Sequence, residues 1–108
     1  MEELKTIYKI LKILQQSMDY EEFDKRSLSA KSLGLSEPKW SRIMTMLSKE
    51  GYLSGIEVWN SMYQSYPRVE LIRPEITLQG LEYLENNSLM KKISNTAKGI
   101  VDVTTNII

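Results

Sequence analysis

The chain has 108 residues, with 14 basic and 14 acidic side chains and with neither cysteine nor histidine. This length suits one domain with a modest core. The missing residue types exclude disulfides and thiolate metal sites, and they remove the commonest metal ligand and general base. No nucleophile–base pair, glycine-rich phosphate loop or metal-ligand spacing is visible, so we expect neither an enzyme nor a site for a metal or cofactor. Because the sequence shows no signal peptide and no apolar run of membrane-spanning length, we expect a cytoplasmic protein with no membrane partner.

The first predicted element is a helix over residues 2–18. Its apolar positions cover more than one helical face, so this helix should pack against two apolar neighbours. Those positions are Leu4, Ile7, Tyr8, Ile10, Leu11, Ile13, Leu14 and Met18. Residues 19–26 are predicted to form a polar connection in which Phe23 is the apolar anchor, and a short strand is an alternative for this segment.

Residues 28–51 have the pattern of a helix-turn-helix. Ala30 and Leu33 face inward on a short helix, and Gly34 stands where that helix needs a left-handed residue to end. Ser36 is positioned to cap the following helix, which ends before Gly51. Four apolar residues then recur at i, i+3, i+4 and i+7 and form one buried stripe: Trp40, Ile43, Met44 and Leu47.

Two strand-like runs follow, over residues 52–59 and 68–72. In the second run the apolar residues alternate with Arg68 and Glu70, which should point outward, and Pro74 should end the ladder because it lacks an N–H. A hairpin directly after a helix-turn-helix is a wing. The sequence therefore predicts a mainly α fold with a small β-hairpin, an α+β winged helix-turn-helix over residues 1–87.

A last helix of this domain is predicted over residues 76–87. Thr77 is its expected N-cap, and Gly80 in the first turn should allow a close approach to a neighbouring element. The expected buried side consists of Leu78, Leu81 and Leu84.

This helix also carries a family resemblance. Ile76, Thr77, Gly80, Tyr83 and Leu84 match the pattern Leu-Thr-x-x-Gly-x-x-Tyr-Leu, with Ile in the first position, that closes many small bacterial winged helices. Together with the run LSKEGYLSG before the wing, the chain up to Leu84 resembles the YjcQ-like family of small bacterial and prophage proteins. The resemblance implies a winged-helix fold and an association with prophages, and it implies no particular activity.

Residues 88–108 form a separate segment in which apolar positions recur at alternating spacings of three and four. The pattern predicts an additional C-terminal helix. That helix either folds back on the first helix or forms the seam of a homodimer. The seam positions are Met90, Ile93, Ala97, Ile100, Thr104 and Ile107.

Basic residues are concentrated in the helix-turn-helix, since residues 25–49 contain six basic side chains and one acid. This concentration favours a winged-helix DNA-binding protein, a small bacterial or prophage transcriptional regulator that reads duplex DNA through helix 37–50. With Trp40 inward, steps of about 100° per residue direct Arg42, Thr45 and Lys49 outward, with Lys39 and Ser41 beside them.

Each outward residue has an expected role on DNA. Arg42 is the candidate for guanine recognition, and Ser41 and Thr45 are candidates for a base edge or a phosphate. The expected backbone contacts are Lys31, Ser36, Lys39 and Lys49, joined by Arg68 from the wing, which is also placed to reach the minor groove.

The wing itself favours a different partner. Its connecting segment carries Trp59, Met62, Tyr63 and Tyr66 and no lysine, whereas wings that read DNA bring cations to the backbone. Exposed aromatic residues are typical of protein interfaces. The alternative function is therefore a protein–protein interaction module of a phage or prophage that does not bind DNA, unless these side chains simply cover the domain itself.

Overall fold

The structure, a computed structural model, describes residues 2–87. Within this range no helix has both the length and the apolar character needed to cross a bilayer. The predicted C-terminal helix and all six seam positions lie outside the described residues. The elements are helices α1 (Glu2–Gln16), α2 (Ala30–Leu33), α3 (Glu37–Lys49) and α4 (Leu78–Asn86), with strands β1 (Leu53–Trp59) and β2 (Arg68–Ile76) between α3 and α4.

The element order confirms the predicted mainly α fold with one antiparallel hairpin, in a winged-helix layout. The wide apolar surface of α1 is also explained. Ile10, Leu11 and Leu14 are completely buried, and the helix contacts both α4 and β2. These two neighbours are the reason why its apolar positions exceed a single face.

The polar connection after α1 contains no strand. It consists instead of two single-turn 3₁₀ helices, Ser17–Asp19 and Lys25–Leu28. The second turn is capped by Asp24, whose carboxylate accepts a hydrogen bond of 3.0 Å from the backbone N–H of Arg26. Phe23 is half-buried against the core, as predicted. Local capping therefore competes successfully with strand formation in this segment.

Two expected backbone features build the helix-turn-helix. Gly34 ends α2 with φ of 71°, which only glycine adopts without strain, and Ser36 accepts a hydrogen bond of 3.3 Å from the N–H of Lys39 at the start of α3. The indole of Trp40 is 9% exposed, and its Nε1 donates a hydrogen bond of 2.7 Å to the carbonyl oxygen of Leu28. This bond ties α3 to the segment that precedes α2.

The prediction that Pro74 ends the sheet is wrong, because β2 continues to Ile76. Ser54 pairs with Glu75 while Ile56 pairs with Leu71, so the residues of β2 between those partners bulge out opposite Gly55. Pro74 lies in this bulge and is buried. A bulge is one of the few places in a sheet that tolerate a residue without an N–H.

Helix α4 begins as predicted at Thr77. Its Oγ1 accepts a hydrogen bond of 3.0 Å from the N–H of Gly80 and donates one of 2.5 Å to the carbonyl oxygen of Gly51. The expected inward orientation of Leu78 is wrong, since 73% of this residue is exposed. Each spacing of three residues falls about 60° short of a full turn, so Leu78 lies about 120° away from the buried Leu84. Gly80 occupies the buried position of the first turn instead.

We predict that Gly80→Ala destabilises the domain by about 1–3 kcal/mol, because a Cβ at this position would overlap the carbonyl oxygen of Tyr52. In an ordinary helix the same change would be stabilising by roughly 1 kcal/mol. Denaturant unfolding of Glu82→Ala, an exposed change in the same helix, provides the control and should differ from the unchanged protein by less than about 0.5 kcal/mol. Equal stabilities of the two variants would contradict the close contact.

Candidate functional site

The exposed side of α3 carries a continuous row of four residues, Lys39, Arg42, Met46 and Lys49, which we call the α3 stripe. Their spacings of three, four and three keep them on one face of the helix. Arg42 and Lys49 are exposed, Met46 is 50% exposed, and the side chain of Lys39 is 41% exposed. With a rise of 1.5 Å per residue, the row extends over about 15 Å. It presents three cations around one apolar side chain.

The stripe is narrower than the sequence predicts, because α3 is covered on two sides. Trp40, Ile43 and Leu47 face the core, and the hairpin covers the adjoining flank. On that flank the hydroxyl of Ser41 donates a hydrogen bond to the carbonyl oxygen of Pro67, immediately before β2. The wing is thereby attached beside the N-terminal half of α3.

Ser41 and Thr45 consequently do not belong to the site, and the prediction that they face outward is wrong. They are only 2% and 8% exposed. The hydroxyl of Thr45 donates a hydrogen bond of 2.7 Å to the carbonyl oxygen of Ser41, so both side chains are occupied within the protein. The helical wheel placed them correctly relative to Trp40, but the hairpin covers the sector in which they lie.

The remaining candidates for DNA contact have different surroundings. Lys31 is exposed on α2, and Ser36 is exposed at the N-terminus of α3, where its hydroxyl acts as the cap. Arg68 lies outside the stripe on β2, with its guanidinium carbon 5.9 Å from the centre of the Trp59 ring. This distance permits a cation–π interaction, which would hold the Arg68 side chain beside Trp59.

Lys39 is paired with a residue that the sequence analysis did not consider. Its ammonium group lies 3.0 Å from the carboxylate of Glu3 near the start of α1. The hydrogen bond from Lys39 and the attraction of its charge lower the pKa of Glu3. No local pattern links residues 36 positions apart, so this pairing required the tertiary structure.

The segment between the two strands is open to solvent, as the alternative function requires. Met62 and Tyr63 are each 94% exposed and Trp59 is 43% exposed, whereas Tyr66 is half-buried. The possibility that these side chains fold over the domain therefore fails for Met62 and Tyr63. We call Trp59, Met62 and Tyr63 the wing tip.

The outer face of the hairpin behind the wing tip carries negative charge. Glu57 and Glu70 stand directly opposite each other across the two strands and are both exposed. Like charges in this arrangement are mildly destabilising. They also disfavour contact between this face of the hairpin and a phosphate backbone.

Met46 is the site residue that sequence analysis missed. Counted from Trp40 on a helical wheel, it lies about 240° around the helix, within about 20° of Lys39. The wheel therefore contained the signal. Its place outside the buried stripe of α3 indicated that Met46 lies at the surface.

One cavity in the described part of the chain is separate from the α3 stripe. It has a volume of about 550 Å³ and lies between the end of α1, residues 20–25 and β2, with Leu14, Phe23 and Pro74 in its wall. No residue of the stripe lines it. Among residues 2–87, no group of three acidic side chains is arranged to hold a metal ion.

Comparison with known proteins identifies relatives of this chain. The family model described as "YjcQ protein" matches residues 8–103. The chain is also 29% identical over 75 residues to a Bacillus subtilis (strain 168) protein named "Uncharacterized protein YjcQ", and this alignment covers 69% of the chain and 76% of the relative. No solved structure matches the chain.

We predict that Lys39→Gln returns the pKa of Glu3 towards its ordinary value, as measured by NMR titration of the side-chain carboxyl carbon. Because the folded state lowers this pKa, the stabilisation from the ion pair is present above the ordinary pKa and is lost as the pH falls through the lowered one. Lys31→Gln removes an exposed charge outside this pair and should leave the titration of Glu3 unchanged. A titration that is the same in all three proteins would contradict the pairing.

Proposed function

The chain belongs to the YjcQ family, and we propose its function from the geometry of the α3 stripe and the wing. The proposal is that the chain is a winged-helix protein that binds duplex DNA through α3 and acts as a small bacterial or prophage transcriptional regulator. Its site of action would be the cytoplasm. No catalytic step is part of this function.

The single observation that supports the proposal is the α3 stripe. A major groove about 12 Å wide admits one α-helix, and its walls are rows of phosphates. The stripe offers three basic side chains over about 15 Å of helix, of which Lys39 is paired with Glu3, and residues 38–49 contain no acid. Such a surface complements a groove that is negatively charged on both sides.

Arg42 is the residue that we assign to base recognition. It is exposed at the end of the N-terminal half of α3, the half that approaches the bases in helix-turn-helix complexes. Its guanidinium can make two hydrogen bonds to one guanine, which discriminates against other bases by about 1–3 kcal/mol.

The lysines have a different task. Lys39 and Lys49 at the two ends of the stripe suit phosphate contacts, and exposed Lys31 and Ser36 on the preceding segment extend them. Arg68 lies beside the wing tip and directly follows Pro67, whose carbonyl oxygen accepts the hydrogen bond from Ser41 of α3. These contacts would orient the protein on DNA without specifying its sequence.

A homodimer is part of the proposal and rests on the apolar spacing in residues 88–108. Two copies joined by this segment would present two α3 helices to one face of the duplex. Half-sites about 34–36 Å apart would then form a pseudo-palindrome.

We predict that the full chain binds random duplex DNA weakly at low salt and that Arg42→Gln and Lys49→Gln each weaken this binding. Loss of one phosphate contact should reduce the slope of log affinity against log salt concentration by about 0.9. Fluorescence anisotropy titrations at several salt concentrations measure both quantities. The matched control is Lys9→Gln, which removes the same charge from an exposed position on α1.

If the unchanged protein does not bind duplex DNA at low salt, the proposed function is wrong. Binding that falls equally in all three variants would indicate attraction to the overall charge and would remove α3 from the interface.

The second candidate function is a protein–protein interaction module, and the exposure of the wing tip favours it. Met62 and Tyr63 are almost fully exposed, and the carboxylates of Glu57 and Glu70 lie on the adjoining outer face. An apolar tip beside carboxylates fits a protein surface better than a phosphate backbone. In this function the α3 stripe would have no ligand.

We predict that the pair Met62→Ala and Tyr63→Ala changes the free energy of unfolding by less than about 0.5 kcal/mol, because neither side chain packs on the domain. Denaturant unfolding measures this. The same variant should keep its DNA affinity under the first function, whereas under the second it should lose a partner identified by cross-linking from position 63. A large loss of stability would show that the tip is part of the core.

A further inference from the structure

We infer that Met46 recognises the C5-methyl group of a thymine in the major groove, about two base pairs from the base that Arg42 contacts. This inference rests on the proposed DNA-binding function. The observation behind it is the position of Met46, which is half-exposed on the α3 stripe with Arg42 one turn before it and Lys49 one turn after it. No part of the sequence prediction or of the family assignment gives this residue a role.

The core does not require a methionine at this position. The apolar side of α3 is complete without it, since Ile43, Met44 and Leu47 are each at most 2% exposed while Met46 is 50% exposed. Half of a flexible apolar side chain is therefore left in water. An apolar group of a ligand that covers this side chain would remove the remaining surface from water.

The surrounding charges select the class of ligand. An apolar protein surface placed on Met46 would also desolvate Arg42 and Lys49, and desolvated charges are costly unless they are paired. Duplex DNA avoids this cost, because the phosphates remain available to the cations while the groove floor meets the methionine.

On the groove floor, thymine offers the one apolar group. The major-groove edges of the four standard bases present hydrogen-bonding groups, and thymine alone adds a methyl carbon. A methionine is suited to this contact because its thioether is polarisable and its three rotatable bonds adjust to the position of the methyl group.

The helix geometry also places the contact. Met46 lies four positions after Arg42, which corresponds to about 6 Å along the helix axis. Base pairs are stacked 3.4 Å apart. The thymine is therefore expected about two base pairs from the guanine that Arg42 contacts.

The test uses the full chain and its preferred duplex, obtained by selecting bound sequences from a random pool. Each thymine of that duplex is replaced in turn by uracil, which differs only by the missing methyl group. For the unchanged protein, uracil at one position should weaken binding about fourfold. This factor corresponds to the free energy gained by burying one CH₂ or CH₃ group. For Met46→Ala, the thymine and uracil duplexes should bind equally well at that position.

Met46→Leu provides the conservative control and should retain part of the preference for thymine, whereas Lys9→Gln should retain all of it. Because Met46 is half-exposed and alanine favours helices, Met46→Ala should fold normally, which thermal unfolding checks. The inference is overturned if no position shows a preference that depends on Met46, or if binding by Met46→Ala discriminates against uracil as before. Absence of any duplex binding by the unchanged protein is a different result, and it removes the proposed function together with this inference.

Discussion

The hydrogen bond from the indole of Trp40 to the carbonyl oxygen of Leu28 is the interaction on which the site depends. Both groups are buried, so neither has water as an alternative partner, and breaking the bond would leave an unsatisfied carbonyl in the core. The bond is made between α3 and the turn before α2. It therefore fixes the rotation of α3 about its own axis, and this rotation decides which residues face outward.

The hairpin imposes a second restriction on the same helix. Contacts on two sides bury Ser41 and Thr45 in addition to the core residues, and they leave a narrow exposed row. A narrow row would restrict how α3 is oriented against a ligand. Each of its residues has a defined place relative to the others, whereas a broad exposed face would permit several orientations of α3 against one ligand. The wing thus contributes to the site through burial, whether or not its tip contacts DNA.

The fold was predictable from the sequence because its signals are local. Gly34, Ser36 and Thr77 act at their own positions, and the apolar stripe on α3 needs only the helical period. The orientation of Leu78 was misjudged from the helical period itself, whereas the other errors arose where distant segments meet. Ser41 is covered by Pro67, and Lys39 is paired with Glu3, and neither partner lies within one helical turn in the sequence. Pro74 was misjudged because a bulge depends on both strands. The sequence therefore predicted which helix carries the candidate site and that this helix is basic. It did not predict which residues border the exposed row.

The bulge around Gly55 and Pro74 has a consequence for self-association. Among residues 2–87 the sheet has two strands, so each strand has an edge that pairs with no other strand. An extended chain can add to such an edge, and repeated addition leads to fibrils. Here the bulge interrupts the ladder of hydrogen bonds between Ser54 and Ile56. In addition, a second copy paired in register would place its own carboxylates next to those of Glu57 and Glu70. The hairpin can consequently carry apolar side chains at its end while strand-by-strand polymerisation remains disfavoured.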